Sequence, residues 1–178
     1  IMNNNFRFFD SRQKYLLFVT TTNEKNIIAE KISTQIKKIK PKKPSLNILF
    51  AWLGDGTLLM SVLRNCHREF PTIPFLVYGK EISMEDVRLS IEKLPDRFME
   101  HPNMIFVASN LYYSEIASLN SSNPVKQQHI KWDILKLKGN SSFEFNQQLS
   151  QLDTMLQNNW QVERHPTSGN PTYKLPSV

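Results

Sequence analysis

Cysteine and long apolar runs are both scarce in this chain of 178 residues. Cys66 is the single cysteine, so no intrachain disulfide can form. A reducing, cytoplasmic setting is predicted, with Cys66 as a small buried apolar residue. No apolar stretch approaches the roughly 18 to 20 residues that cross a bilayer. The run at residues 15–19 is also too short for a secretory signal, so we expect no membrane association.

Sequence patterns that identify metal sites, phosphate loops and nucleophile elbows are missing as well. The chain contains neither a Gly-Lys-Ser/Thr loop nor a Gly-x-Ser-x-Gly turn. Its histidines, His67, His101, His129 and His165, show no metal-binding spacing with acids or with the cysteine. The sequence therefore predicts no metal, and it nominates no general base or other catalytic residue.

Positive charge is concentrated near the start of the chain. The net charge is +6, and residues 1–45 hold ten Lys or Arg against three acids. This segment ends in a run made of Lys37, Lys38, Lys40, Lys42 and Lys43. Such a run can contact the phosphates of a nucleic acid, or it can be a solvated helix end. No aromatic residues interleave with the lysines, as single-strand binding would require.

Strands and helices are predicted to alternate through the middle of the chain. Apolar runs predict strands over residues 46–53, 75–78 and 104–108. Helical spacing predicts helices over residues 24–39, with Asn23 as N-cap, over 57–69, and from Ser83 to Phe98. We therefore expect an α/β fold, with a Rossmann-like parallel sheet flanked by helices.

The flanking segments fit this pattern less well. Residues 12–22 predict a helix and a turn, residues 111–119 a short helix, residues 130–138 an inserted hairpin strand, and residues 145–156 a last amphipathic helix. From Trp160 onward the chain reads as a loop. We divide it into a basic N-terminal helical segment (1–45), a Rossmann-like half-domain (46–125) and an additional segment (126–178).

A glycine bend followed by an acid forms the most informative constellation. Gly54 and Gly56 follow the first predicted strand, and Glu81 stands 25 residues after Gly56 at the end of the second. In Rossmann folds such a bend brings the backbone close to a ligand, and the acid accepts hydrogen bonds from ribose hydroxyls. The alternative is an ordinary strand-to-helix turn beside a solvated glutamate.

At these residues the chain resembles the class I S-adenosylmethionine-dependent methyltransferases. Their first motif matches residues 50–56, and their second matches residues 79–83. More specifically, residues 10–12, 14–25 and 95–98 resemble a poorly characterised bacterial branch. The resemblance implies S-adenosylmethionine as cofactor and an unknown methyl acceptor. It implies that the cofactor contacts Ala51, Leu53, Gly54, Asp55, Gly56, Glu81, Ile82, Ser109 and Asn110, with Glu81 at the ribose and Asn110 near the adenine.

Two positions depart from the family pattern. Phe50 replaces the acid of the first motif, and Trp52 replaces its first glycine. Trp52 either fills the methionine subsite, so that binding is lost, or both residues pack in the core. A catalytically inactive, methyltransferase-like binding or interaction protein is therefore the alternative function. A nucleic-acid-binding module that uses the basic segment is the third.

The predicted sheet is also short for this family. Three strands are clear and no fourth is evident, since the lysines of residues 130–138 do not suit a buried parallel strand. The last ten residues look like the middle of a longer protein. An incomplete sheet exposes an edge and an apolar face, so we expect a truncated chain, a natural fragment, or a subunit whose sheet a partner or a second copy covers.

Overall fold

Three parallel strands form the centre of the described structure. The computed structural model describes Leu17, residues 21–167 and residues 169–178. Strands β1 (Leu46–Phe50), β2 (Phe75–Lys80) and β3 (Met104–Ser109) lie in the order β1-β2-β3, and both pairings are parallel. The expected mixed α/β architecture is confirmed at this level. The predicted helix and turn over residues 12–22 lie almost wholly outside the described residues.

Helices precede, connect and follow these strands. They are α1 (Glu24–Ile36), α2 (Thr57–Glu69), α3 (Met84–Glu92), α4 (Pro95–Glu100), α5 (Pro124–Gln128), α6 (Ser142–Leu149) and α7 (Asp153–Asn159), with a 3-10 turn at Ser150–Leu152. A small antiparallel hairpin, β4 (Val162–Arg164) and β5 (Pro171–Tyr173), follows them. Within the described part of the chain, none of these helices has the length and apolarity needed to cross a membrane.

One face of the sheet packs on helices and forms the core. The register aligns Leu46, Phe75 and Met104 in one row, and all three are buried. They share a cluster with apolar side chains of α2 and α3. Cys66 lies in this cluster at 2% exposure, and its burial raises the pKa of the thiol to about 11. The prediction that Cys66 is a buried apolar residue is confirmed.

The opposite face of the sheet is partly exposed. Leu49 is 51% exposed and Ile105 is 64% exposed, and both alternate with the core positions of their strands. Among the described residues, β1 and β3 each have β2 as their one strand neighbour. The expected strand edges and apolar surface are therefore present in this part of the chain.

The first helix begins at Glu24, as predicted, with Asn23 at the N-cap position, but it differs from the prediction in its cap and in its end. It ends at Ile36 rather than at residue 39, and Ile39 is 42% exposed. The Asn23 side chain makes no capping hydrogen bond, because it accepts from the Asn26 side-chain amide instead of from a backbone N–H. Ile27 and Ile28 are exposed too, so the predicted isoleucine face is buried only around Ile36.

Proline and polar caps explain the next differences. Ser83 caps α3 as predicted, by accepting from the Asp86 N–H at 3.3 Å. Pro95 then starts a separate helix, because proline disrupts the interior of a helix but suits its first turn. The helix predicted over residues 111–119 is wrong, since this segment forms turns. The sequence reading also missed α5, which Asn123 caps through two backbone N–H groups.

The predicted strand over residues 130–138 is wrong in most of its length. Lys131 forms one isolated parallel bridge with Ser177, and the remainder has no strand partner among the described residues. The apolar and polar alternation is real, but a strand also requires a neighbour with which to pair. The tail read as a loop contains β4 and β5, and the predicted last helix is divided into α6, a 3-10 turn and α7.

A histidine pair joins α2 to α4 near the start of β2. The Nδ1 atoms of His67 and His101 lie 3.0 Å apart, and His101 stacks on Phe75 with ring centroids 3.7 Å apart. The other His101 nitrogen, Nε2, lies 2.9 Å from the Ile73 carbonyl oxygen, so we assign its proton there. Burial lowers the pKa of His101, against the opposing effect of the Ile73 carbonyl.

We expect the free energy of unfolding to fall as the pH drops from about 7 to 5. The folded state disfavours protonated His101, so the unfolded chain binds more protons and gains stability relative to the folded chain in acid. Urea unfolding across this range should give a smaller fall for His101→Gln. His129→Gln, at an exposed histidine, serves as control. Parallel pH profiles for wild type and His101→Gln would contradict this assignment.

Candidate functional site

The glycine bend lies at the carboxyl end of β1. The Leu53 N–H still bonds to the Lys80 carbonyl at 3.0 Å, which extends the contact between β1 and β2. Gly54 and Gly56 then take positive φ angles of 55° and 78°. This backbone region favours glycine, because other residues crowd the following carbonyl there. The predicted bend is therefore present, and helix α2 begins directly after it.

Gly56 is required by packing as well as by its φ angle. A Cβ added to Gly56 would lie 2.8 Å from the Ser90 Cα. The Ser90 hydroxyl donates to the Gly54 carbonyl at 2.9 Å. Helix α3 is thus held against the bend, which leaves this side of Gly56 closed to a ligand.

The carboxylate of Glu81 faces the bend. The Gly54 N–H donates to Glu81 Oε2 at 2.9 Å. The N–H groups of Ile82 and Ser83 donate to Oε1 at 2.8 and 2.9 Å. Glu81 is 4% exposed, so its charge is buried and balanced by backbone dipoles. The Glu81 carboxylate thus connects the end of β2 to the bend, at the position where the resemblance predicts a ribose.

Asp55 is held by three elements at the tip of the bend. Its carboxylate contacts Lys25 Nζ of α1 at 2.5 Å, Lys93 Nζ after α3 at 3.3 Å, and the Thr57 N–H at 3.2 Å. Burial opposes its ionisation, but these partners outweigh burial and hold the pKa of Asp55 well below its usual range. A negative charge belonging to the chain thus already lies at the N-terminus of α2, the usual position of a bound anion.

The residues predicted near the adenine are turned toward the chain itself. Ser109 and Asn110 are 0% and 1% exposed. The Asn110 side chain donates to the Leu175 carbonyl at 2.8 Å and accepts from the Ser177 N–H at 2.8 Å. The structure therefore brings Gly54, Glu81 and Ile82 together, whereas the Asn110 amide binds the tail.

The two departures from the family motif take different positions. Phe50 is partly buried and packs against the core, whereas Trp52 is 60% exposed. The expectation that both pack in the core holds for Phe50 and is wrong for Trp52. The Trp52 Nε1 lies 4.0 Å from the position of an added Cβ on Gly54. The neighbouring Ala51 is exposed beside the bend.

Sequence reasoning missed several residues that complete this site. Trp160 is 4% exposed, and its indole N–H donates to the Glu81 carbonyl at 2.9 Å across 79 residues of sequence. Ser90, Lys25 and Lys93 are the other contributors to the bend. No local sequence pattern predicts contacts between residues so far apart in the chain. The one usable indication was the small side chain of Ser90, which allows close packing against a glycine.

Glu115 organises the loop that follows β3. This carboxylate is 2% exposed and accepts from the backbone N–H groups of Tyr112 and Ser122 at 3.1 and 2.7 Å. The hydroxyls of Ser121, Ser122 and Tyr173 donate to it as well. Burial opposes ionisation, but these donors outweigh it and lower the pKa of Glu115. Because its donors all come from the chain, we assign Glu115 a structural role.

The basic run is exposed in the structure. All five lysines of the run are exposed to solvent: Lys37, Lys38, Lys40, Lys42 and Lys43. Exposure is compatible with both readings of the run, so nucleic-acid contact stays a prediction. In the described residues, no group of three His, Cys, Asp or Glu side chains is arranged to hold a metal ion.

Comparison with known proteins identifies no relative of this chain. No protein-family model, no curated protein and no solved structure matches the chain.

Proposed function

We propose that this chain carries the cofactor-binding part of an S-adenosylmethionine-dependent methyltransferase with a Rossmann-like core. One observation carries the proposal: the Glu81 carboxylate lies 2.9 Å from the Gly54 N–H, between the carboxyl ends of two adjacent parallel strands. In parallel α/β sheets, ligands bind beyond the carboxyl ends of the strands. The first two motifs of the resemblance therefore meet in space.

The ribose end of the cofactor fits the chain best. Glu81 Oε2 accepts one hydrogen bond among the described contacts, and a carboxylate oxygen can accept two. A ribose hydroxyl can donate the second hydrogen bond to Oε2. Because Glu81 is 4% exposed, the side chains that cover it must first move. Ile82 then lies beside the ribose and Asp55 near the amino-acid end. When bound, the cofactor supplies a sulfonium methyl group, and the chain contributes alignment and exclusion of water.

A second candidate is a binding or interaction protein that has lost the cofactor. Two observations favour it: the Asp55 carboxylate already occupies the N-terminus of α2, and the Trp160 indole lies on the Glu81 carbonyl. A ligand carboxylate would have to compete with Asp55 for the same donors. In this reading, Glu81 and Asp55 stabilise the fold and the site stays closed.

Isothermal titration calorimetry with S-adenosylmethionine tests the first proposal. We expect micromolar affinity, equivalent to about −8 kcal/mol. Glu81→Gln should weaken binding about tenfold, because an amide replaces one charged acceptor oxygen. Glu69→Gln, at an exposed acid at the end of α2, is the matched control. Urea unfolding of each variant separates lost affinity from lost structure.

The same titration identifies the second candidate. No heat at millimolar cofactor, with a folded chain, rejects cofactor binding by the wild type. Heat that appears only after Trp52→Gly combined with Phe50→Asp would then assign the loss to the altered first motif. Trp52→Gly alone is a useful intermediate, because Trp52 is exposed and its removal leaves the core intact.

A further inference from the structure

An apolar cleft runs along the outer edge of β3. Its volume is about 360 Å³, within the roughly 300–1,000 Å³ of ligand sites in general. Residues 105–108 of β3 form one side, and Met155 and Leu156 of α7 contribute to the wall. Trp132, Ile134 and Leu135 lie along the other rim. Among the described residues, neither Glu81 nor the glycines of the bend line the cleft, but Trp160 connects the two places, because it lines the cleft and its indole N–H donates to the Glu81 carbonyl.

Backbone groups of β3 face this cleft. The Phe75 N–H donates to the Asn103 carbonyl at 2.8 Å, and the Glu81 N–H donates to the Ser109 carbonyl at 2.9 Å. In a parallel ladder every second residue directs its backbone groups toward the same neighbouring strand. The Asn103 and Ser109 carbonyls point toward β2. Phe106 and Ala108 occupy the alternate positions of β3, so their N–H and C=O groups point away from β2, toward the cleft. Within the described chain, no strand pairs with this edge.

The opposite rim presents apolar side chains to solvent. Ile134 is 91% exposed, and Trp132 and Leu135 are 53% and 43% exposed. This rim is anchored at its start, where the Lys131 N–H donates to the Pro176 carbonyl at 2.8 Å and the Asp133 N–H donates to the Val178 carbonyl at 3.0 Å. Ile134 adds little to the packing of the fold, so its apolar surface is available to a ligand.

We propose that the cleft binds an extended peptide segment with apolar side chains, which adds to β3 as a fourth strand. The peptide backbone pairs with Phe106 and Ala108, and its side chains contact the apolar walls. A hydrocarbon ligand would leave the outward N–H and C=O groups unpaired, whereas a peptide satisfies them.

The chemistry of the cleft also specifies an uncharged segment. Asp133 is the one ionisable side chain among the described residues that line the cleft, and its carboxylate accepts from the Asn159 amide at 2.8 Å. A cation would have to compete with that amide. Residues 132–135 line the cleft together with β3, so a second copy that paired through this edge would have to bring its own residues 132–135 to the same place, whereas a single peptide strand brings no such segment.

Fluorescence anisotropy with the full chain tests this assignment. The probe is a blocked, fluorescein-labelled peptide of about six residues, with alternating valine and threonine. A second probe has the same side chains but N-methyl groups on all of its internal amides, so that neither of its edges can donate. We expect the N-methylated probe to bind about tenfold more weakly, because it cannot donate to the ladder. Amide hydrogen exchange at Phe106 and Ala108 should slow when the first probe binds.

A charge at the rim provides the matched protein variant. Ile134→Asp should weaken binding of the first probe about tenfold, because the new carboxylate loses water in the cleft. Val125→Asp changes a residue of α5 that is 67% exposed and outside the cleft, so it should leave affinity unchanged.

Three results would overturn the proposal. The first is equal affinity for both probes, which would indicate apolar partitioning without strand pairing. The second is no binding of the first probe at millimolar concentration. The third is a concentration-dependent dimer that Ile134→Asp dissociates, since a second copy of the chain would then be the occupant. Sedimentation velocity over a range of protein concentrations measures the last of these.

Discussion

We expect Gly56→Ala to lower the free energy of unfolding by about 3 kcal/mol. A methyl group at this position meets the Ser90 Cα at 2.8 Å, and the φ angle of 78° disfavours any side chain. The clash is with backbone, so it can be relieved only by moving α3 away from the bend. Urea unfolding monitored by circular dichroism measures the loss.

Gly169→Ala is the matched control for this variant. Gly169 also has a positive φ angle, of 68°, but an added Cβ meets nothing within 4 Å. Gly169→Ala therefore measures only the cost of placing a side chain at a positive φ angle, which is about 1 kcal/mol. If both variants lost the same stability, the contact with Ser90 would not constrain the bend, and the close packing of α3 there would have to be abandoned.

Glu115→Ala is expected to destabilise the fold by about 4 kcal/mol. The substitution removes the acceptor for two backbone N–H groups and three hydroxyls around a carboxylate that is 2% exposed. Glu115→Gln should lose about half as much, because the amide keeps one acceptor oxygen but points donors at donors. Equilibrium unfolding at neutral pH separates the two variants.

The pH dependence of stability provides an independent check on Glu115. Its pKa is lower in the folded chain than its ordinary value of 4.5, so the carboxylate stabilises the fold above about pH 4.5. That contribution disappears as the pH falls through the folded pKa. The free energy of unfolding of Glu115→Gln should therefore fall less steeply in acid than that of the wild type.

Glu163→Ala is the control for Glu115→Ala. Glu163 is a half-exposed acid 4.0 Å from Lys126, so its removal should change stability by no more than about 0.5 kcal/mol. A loss as large as that of Glu115→Ala would contradict the assignment.

Local patterns predicted those elements whose burial follows from one periodicity. Helix α2 spans residues 57–69 as predicted, and Leu59, Val62, Leu63 and Cys66 form its buried face. The parallel order of β1, β2 and β3 also follows from alternating strands and helices. The bend and the approach of Glu81 were predictable for the same reason, since adjacent parallel strands end at one edge of the sheet.

Tertiary contacts determined what the sequence pattern left open. Residues 130–138 alternate like a strand, but nothing in their own order reveals that, among the described residues, their backbone bonds to the tail involve only Lys131 and Asp133. The contact between Trp160 and the Glu81 carbonyl joins residues 79 positions apart. Such contacts depend on where the whole chain packs, so propensity cannot supply them. Pro95 is a different case, because its effect on the helix after Ser83 could have been read from the sequence.

The three tryptophans divide between three environments, which makes the chain its own spectroscopic reporter. Trp52 is 60% exposed beside the bend, Trp132 is 53% exposed on the rim of the cleft, and Trp160 is 4% exposed, in the wall of the cleft and bonded to the Glu81 carbonyl. Emission from an indole shifts to the blue as its surroundings lose water. Versions of the chain that each retain one tryptophan would therefore report on the bend, on the exposed rim of the cleft, and on the buried wall that the cleft shares with Glu81, without any added dye.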